Sequence, residues 1–267
     1  MMKLGAIFLT VICGVALAEP TTQPSGDWKP LFNGKDFDGW YTYLKGPGKD
    51  NDEMNVFQVD NGMIHIYKDA DDGSNQPFGY LATKDEFGDC RIRLQYKWGT
   101  KRFGTRAQAR RDSGLLYFFT GPDGAFANGP WPYSIECQIQ ENDVGDIYFI
   151  GTQGTTTVDP SAKDQKQPTF KPDGESKTSP ATGNNRVIRS KMLEKDGWNT
   201  VEVVLKGDGA THIVNGEVNN QLTGARAPDP SNPGQLISIR KGKILLQAEG
   251  AEVWYRNIEV QPLTPQP

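Results

Sequence analysis

Cys90-Arg91-Ile92-Arg93-Leu94-Gln95-Tyr96-Lys97-Trp98 alternates apolar and polar side chains without a break, and that period of two decides the fold class. Successive side chains of an extended strand point to opposite faces. Cys90, Ile92, Leu94, Tyr96 and Trp98 therefore share one side, and Arg91, Arg93, Gln95 and Lys97 the other. The same beat returns in Ile135-Glu-Cys-Gln-Ile-Gln140 and in Ile244-Leu-Leu-Gln-Ala-Glu249. Phe57–Tyr67 reads as a hairpin around Asn61-Gly62, a pair that tolerates the positive φ of a tight turn, and Thr211–Val218 repeats it around Asn215-Gly216. Further strands are expected over 79–83, 89–98, 113–119, 133–140, 146–150, 198–206, 236–239, 243–248 and 252–260. About a dozen short strands with no helical period between them predict an all-β sandwich of two antiparallel sheets, of the jelly-roll kind.

Composition agrees. The 267 residues include 30 Gly and 18 Pro, a turn-rich content that disfavours a helix bundle. A formal charge of −4 gives no electrostatic case for nucleic acid, and two histidines exclude a His-rich metal cluster. Met1-Met2-Lys3, the apolar run Leu4–Leu17 and Ala16-Leu17-Ala18 have the pattern of a cleaved secretory signal, too short to span a bilayer. The expected organisation is a signal peptide over 1–18, a flexible leader over 19–27, one jelly-roll domain over 28–262 and a tail over 263–267, in an exported protein, periplasmic or secreted. Cys90 and Cys137 would then meet an oxidising compartment, and their inward positions suit either a bridge or two buried thiols. The polar, proline-containing stretch 155–185 reads as a solvated insertion, and 99–112 as a loop with the basic cluster Lys101, Arg102, Arg106, Arg110 and Arg111.

The polar chemistry is expected on one face. Glu136, Gln138, Gln140, Gln247 and Glu249, together with Arg91, Arg93, Gln95 and Lys97, all stand opposite the apolar sets of their strands. Phe126, Trp131 and Tyr133 flank them. Carboxylates, amides and guanidinium groups beside aromatic rings suit a sugar, which offers hydroxyls at its rim and C–H faces for packing. Asp143 and Asp146, in the turn after the Glu136 strand, have the oxygen ligands for a divalent cation such as Ca²⁺ or Mg²⁺, while ordinary turn chemistry is the simpler account of them. His65 and His212 read as strand residues with one side in water.

Leu31-Phe-Asn-Gly-Lys-Asp-Phe-Asp-Gly-Trp40 resembles the opening of the 3-keto-disaccharide hydrolase family, also described as 3-keto-glucoside 1,2-lyase/3-keto-2-hydroxy-glucal hydratase domains. So do Asp112–Tyr117, Trp131–Gln140 with Gly145-Asp146, Trp198–Glu202, His212–Gly216, Ile244–Glu249 and Tyr255–Ile258, in order along nearly the whole chain. The chain departs from the family at Phe118-Phe119, where members place a histidine. The resemblance implies a concanavalin-like fold and cleavage of 3-keto-glycosides by elimination and rehydration. It implies Glu136 and Glu249 as the acid/base pair, Arg111 or Arg256 (or a bound cation) at the enolate, and Gln138, Gln247 and Trp131 on the sugar. An oligosaccharide or smaller glycoside is the expected partner, with neither nucleic acid nor a membrane span. A dehydrogenase that makes the ketone is an implied pathway neighbour, not a contact.

Two rival readings follow from the same residues. Glu136-Cys-Gln138-Ile-Gln-Glu141 approaches the E-x-D-x-x-E run of laminarinase-like retaining glucanases, with Gln138 in place of the middle Asp. A lectin-like module would use the same sandwich without cutting. Convergence of Glu136 and Glu249 on one site separates catalysis from an open binding platform.

Overall fold

The computed structural model describes residues 23–24, 27–127 and 129–264; the expected signal peptide, 1–18, lies outside them. Among the described residues the chain forms two antiparallel sheets. The smaller has eight strands in the spatial order Asn184–Val187, Ile147–Ile150, Tyr133–Gln140, Asp112–Thr120, Lys243–Ala248, Gly79–Thr83, Trp40–Leu44 and Gly48–Lys49. The larger has twelve strands and centres on Asn199–Lys206, Cys90–Arg102 and Ala251–Thr264. No helix of the described residues is long and apolar enough to cross a membrane.

The alternation places the core between the sheets. Ile92, Leu94 and Tyr96 from the larger sheet meet Leu115, Tyr117, Ile135, Cys137, Ile139 and Leu246 from the smaller one, all in one buried cluster reaching from Phe32 to Val260. Cys90 and Cys137 are both buried there as free thiols. The hairpin turns carry the expected backbone, with φ of 51° and 76° at Asn61 and Gly62, and 49° and 89° at Asn215 and Gly216.

Three expectations need correction. The stretch 155–185 is not a solvated insertion: Gln153–Val158 and Glu175–Ser179 pair as the larger sheet's edge, and Asn184–Val187 joins the smaller sheet. Buried Val158, Phe170 and Val187, with Thr156 and Ser179, anchor this stretch, whereas Lys171, Ser176 and Thr178 face water, as edge strands commonly do. The two histidines are buried rather than half in water. His212 Nδ1 donates to the Gly145 carbonyl and Nε2 accepts from Tyr117 Oη at 2.7 Å, while burial pushes its pKa down to about 4. His65 Nε2 faces Glu252 Oε1 at 3.0 Å. Finally, the polar residues expected on one face occupy two. Arg91, Arg93, Gln95 and Lys97 belong to the larger sheet and Glu136, Gln138, Gln247 and the neighbouring Glu249 to the smaller. Both sets point away from the shared core, so they lie on opposite sides of the sandwich.

Candidate active site

The outer face of the smaller sheet is built by three adjacent strands. Gln138 stands opposite Gly114, Gln140 opposite Asp112 and Glu136 opposite Leu116, while Lys243–Ala248 runs along the other side of Asp112–Thr120. Gly114 is the floor. A Cβ there would come within 2.2 Å of Glu136 Oε1 and 2.4 Å of Gln247 Oε1, so only glycine lets these two side chains meet over the strand. Glu249, two residues beyond Gln247, shares the guanidinium of Arg106 with Asp112: Arg106 Nη2 pairs with Asp112 Oδ2, and Nη1 lies 3.8 Å from Glu249 Oε1. Gln140 Nε2 also donates to Asp112.

Glu136 is 4% exposed and Asp112 3%, whereas the side chains of Glu249 and Arg106 are 18% and 23% exposed. The cluster therefore opens at its Arg106–Glu249 end. Glu136 Oε1, Gln247 Oε1 and Asp112 Oδ1 are buried with no hydrogen-bond partner. Buried polar atoms are ordinarily paired, because an unpaired one costs about 1–3 kcal/mol. Three such oxygens are gathered around one strand at the closed end of the cluster.

The electrostatics follow from crowding acids around one cation. Burial, then the fields of Glu249, Asp112 and Asp146, hold the Glu136 pKa well above the usual carboxylate range. Burial and Asp112 push Glu249 up to about 8, against the opposing pull of Arg106. Asp112 rises to about 6 through burial, restrained by Arg106 and the hydrogen bond from Gln140. Environments that pull neighbouring carboxyl groups apart in this way separate a proton donor from a proton acceptor.

Aromatic residues continue the same face. Tyr41, Tyr80, Leu116 and Phe119 form a second buried cluster, against which Phe126, Trp131 and Tyr148 pack. Tyr41 and Tyr80 both donate to Asp123 Oδ1, at 2.8 and 2.6 Å, tying the loop after Thr120 to this face. The bulge at Phe118, with φ of 53°, turns Phe118 into the core and Phe119 onto the polar face beside Lys243. No imidazole stands there.

Of the residues singled out from sequence, Glu136, Gln138, Gln247, Glu249 and Trp131 share this face. Arg111 does not join them. Its neighbour Asp112 points to the acids, so Arg111 points the other way and pairs with Glu141 through Nη2 at 2.8 Å and Nε at 3.3 Å. Arg256 lies on the larger sheet, with its guanidinium 3.8 Å from the Trp198 ring centre. Asp143 and Asp146 do not present free ligands for a cation. Arg110 and Arg186 reach Asp143 Oδ2 at 2.6 and 2.9 Å, and Arg189 reaches Asp146 Oδ1 at 3.1 Å with Arg186 on its other oxygen. No group of three or more His, Cys, Asp or Glu among the described residues is arranged to hold a metal ion. Glu141, needed by the glucanase reading, is held by Arg111 and Arg102, which bring its carboxyl down to about 2, and it does not touch the Glu136 cluster. Arg106 and Asp112 are the members that strand alternation missed. Arg106 comes from a short 3₁₀ turn, Gly104–Arg106, inside the basic loop, and Asp112 is the first residue of its strand. The one available signal was Asp112 standing two residues before Gly114, hence on the same face.

Carboxyl groups and amides gathered under aromatic residues on one outer face of a two-sheet β-sandwich suit the hydroxyls and C–H faces of a sugar. The model of the 3-keto-alpha-glucoside-1,2-lyase-like domain matches residues 27–261, and the chain belongs to that family. Two solved structures from Parabacteroides distasonis ATCC 8503, each described as a "putative glycosyl hydrolase", have the same fold. The first, at 1.70 Å resolution, is 19% identical with a TM-score of 0.51 over 89% of this chain and 94% of that one. The second, at 2.00 Å resolution, is 17% identical with the same TM-score over 89% of this chain and all of the other. No curated protein matches the chain.

Proposed function

We propose that the protein cleaves 3-keto-glycosides by 1,2-elimination and then hydrates the resulting 3-keto-2-hydroxy-glucal, for a net hydrolysis. The observation that carries this reading is the meeting of Glu136, Gln247, Glu249, Asp112 and Arg106 around Gly114, with oppositely suited carboxyl groups and unpartnered oxygens. The ketone at C3 acidifies the C2 hydrogen. Glu249, at the open end with a pKa near the working pH, takes that proton as general base. The electron pair moves onto the C3 oxygen, where Arg106 stabilises the enolate. As the enolate collapses, C1=C2 forms, the C1–O bond breaks, and protonated Glu136 delivers its proton to the departing oxygen. Addition of water returns hydroxide to C1 and a proton to C2. Asp112 fixes Arg106, and Gln138 and Gln247 orient sugar hydroxyls. The signal-like pattern over 1–18 supports export, periplasmic or secreted, as part of this proposal.

Incubation with a 3-keto-glucoside and with its unoxidised parent, in D₂O, tests the proposal. The expected result is turnover of the keto sugar only, with solvent deuterium at C2 of the product beyond an enzyme-free control. Turnover of the parent glucoside without deuterium at C2 would replace elimination by direct glycoside hydrolysis.

A further inference from the structure

The outer face of the larger sheet carries a second constellation on the side of the molecule away from the acids. Three half-buried tryptophans stand among the outward cations of Cys90–Arg102 and Ala251–Thr264. Arg93 lies 4.1 Å from the Trp28 ring centre. Arg256 and Lys97 lie 3.8 and 5.4 Å from that of Trp198, and Lys97 is also 4.9 Å from that of Trp254. Beside them runs a cleft of about 420 Å³ lined by Arg93, Gln95, Thr200, Glu202, Asn257 and Glu259. That volume is within the roughly 300–1,000 Å³ of small-molecule sites. A bulge between Arg256 and Glu259 interrupts the ladder and turns Asn257 outward with φ of 50°.

Charge distinguishes this cleft from a merely solvated sheet. Its two acids are spent internally, Glu202 on Arg91 at 2.6 Å and Glu259 on Arg93 at 2.7 Å. On the neighbouring edge His65 is taken up by Glu252 and Asp60, and Lys101 by Glu252. Lys97 and Arg256 have no carboxylate partner among the described residues. Arg256 Nε donates to Gln95 Oε1 at 2.9 Å, so its terminal nitrogens stay uncommitted, and the Lys97 ammonium lies against the Trp198 and Trp254 rings, at the rim of a neighbouring hollow that Glu194 and Asp196 also line. Two unneutralised cations braced on one tryptophan, beside a cleft lined by amides and a hydroxyl, match an anionic group attached to a polyhydroxylated ring.

We propose that this face is a second carbohydrate-binding site, taking an acidic oligosaccharide whose carboxylate or sulfate bridges Lys97 and Arg256 over Trp198 while its hydroxyls reach Gln95, Thr200 and Asn257. The site anchors the protein on an acidic glycan and is independent of the elimination chemistry on the opposite face.

Titration of the full chain by calorimetry with tetragalacturonate, a sulfated carrageenan tetrasaccharide, cellotetraose and an oligothymidylate tests this. At least one acidic tetrasaccharide is expected to bind, and which one identifies the anion; cellotetraose binds at least about tenfold more weakly. Lys97→Gln and Arg256→Gln each weaken binding about fivefold, Trp198→Ala abolishes it, and Glu136→Gln leaves it unchanged. Circular-dichroism melts check that Trp198→Ala folds, and half-buried Lys97→Gln, which truncates no ring, carries the test if it does not. Equal binding of cellotetraose overturns the charge argument, and equal binding of oligothymidylate reduces the face to a general polyanion surface. Loss of binding in Glu136→Gln places the sugar among the acids instead, and no binding by any probe removes the site.

Discussion

Two buried clusters of acids and guanidinium groups flank the end of the Tyr133–Gln140 strand, and they are opposites in charge balance. Around Gly114, Glu136, Glu249 and Asp112 share the guanidinium of Arg106. In the following turn, Asp143 and Asp146 are enclosed by Arg110, Arg186 and Arg189. The first cluster leaves carboxyl groups protonated or near their titration point and oxygens without partners. In the second, every carboxylate is met by cations: the arginines hold Asp143 below its usual range against burial, while at Asp146 burial outweighs Arg186 and Arg189 and lifts it. An excess of acid over cation stores reactivity; an excess of cation over acid makes a fastening. The same residue types therefore serve chemistry in one place and architecture in the other.

The sharpest way to break this contrast is Glu136→Gln, which removes the proposed proton donor while keeping its shape. Turnover of a 3-keto-glucoside is expected to fall about 1,000-fold, with a melting temperature equal to or above that of the parent because no buried ion pair is lost. An unchanged rate would leave the acid-rich cluster without a catalytic role. Asp146→Asn should do the reverse. It strands Arg186 and Arg189 against a neutral amide, and urea denaturation should show a loss of about 3 kcal/mol with little change in the rate of the folded fraction.

The pH dependence sharpens the comparison further. The raised pKa of Glu249 means that the folded protein binds a proton there more tightly than the unfolded chain does. This contribution to stability is fully present below the ordinary glutamate range and is lost as pH rises toward about 8. Asp143 has the opposite sign: its lowered pKa stabilises the fold above the usual aspartate range, and that part is lost on acidification. Denaturation curves between pH 5 and 8.5 should thus have a weaker downward slope in Glu249→Gln than in the parent. Over the same interval the rate should climb with pH on its acid limb as Glu249 ionises. A rate that falls steadily from pH 6 to 8 would assign the base elsewhere. The smallest effect is expected for Glu141→Gln. Its carboxylate serves Arg111 and Arg102 at a partly exposed site, so about 1 kcal/mol of stability and no more than a twofold change in rate should follow; a collapse of activity would revive the Glu136–Glu141 pairing.

Much of this was legible without coordinates, for a local reason. Alternation assigns each residue to one of two sides of its strand, so Glu136, Gln138, Gln247 and Glu249 were recognisable as a polar set, and the Asn-Gly turns placed the hairpins. Alternation says nothing about which sheet a strand joins. Arg91, Arg93, Gln95 and Lys97 obey the same pattern as the acids yet face the other way across the molecule, and Arg256 went with them. Edge strands were hidden in 155–185 because a strand that buries one side at a sheet margin needs few apolar residues, here Val158 and Val187.

The order of apolar and polar residues alone determined that the chain would fold as an antiparallel sandwich, because the pleat has a fixed period that local sequence must satisfy. Only the tertiary structure decided which acid meets which cation. Arg106 reaches Asp112 and Glu249 from a non-repetitive turn, while Arg186 and Arg189 reach Asp143 and Asp146 from about 40 residues away in the chain. Charge pairing acts through space and over a few ångströms, and a linear pattern carries no record of such distances.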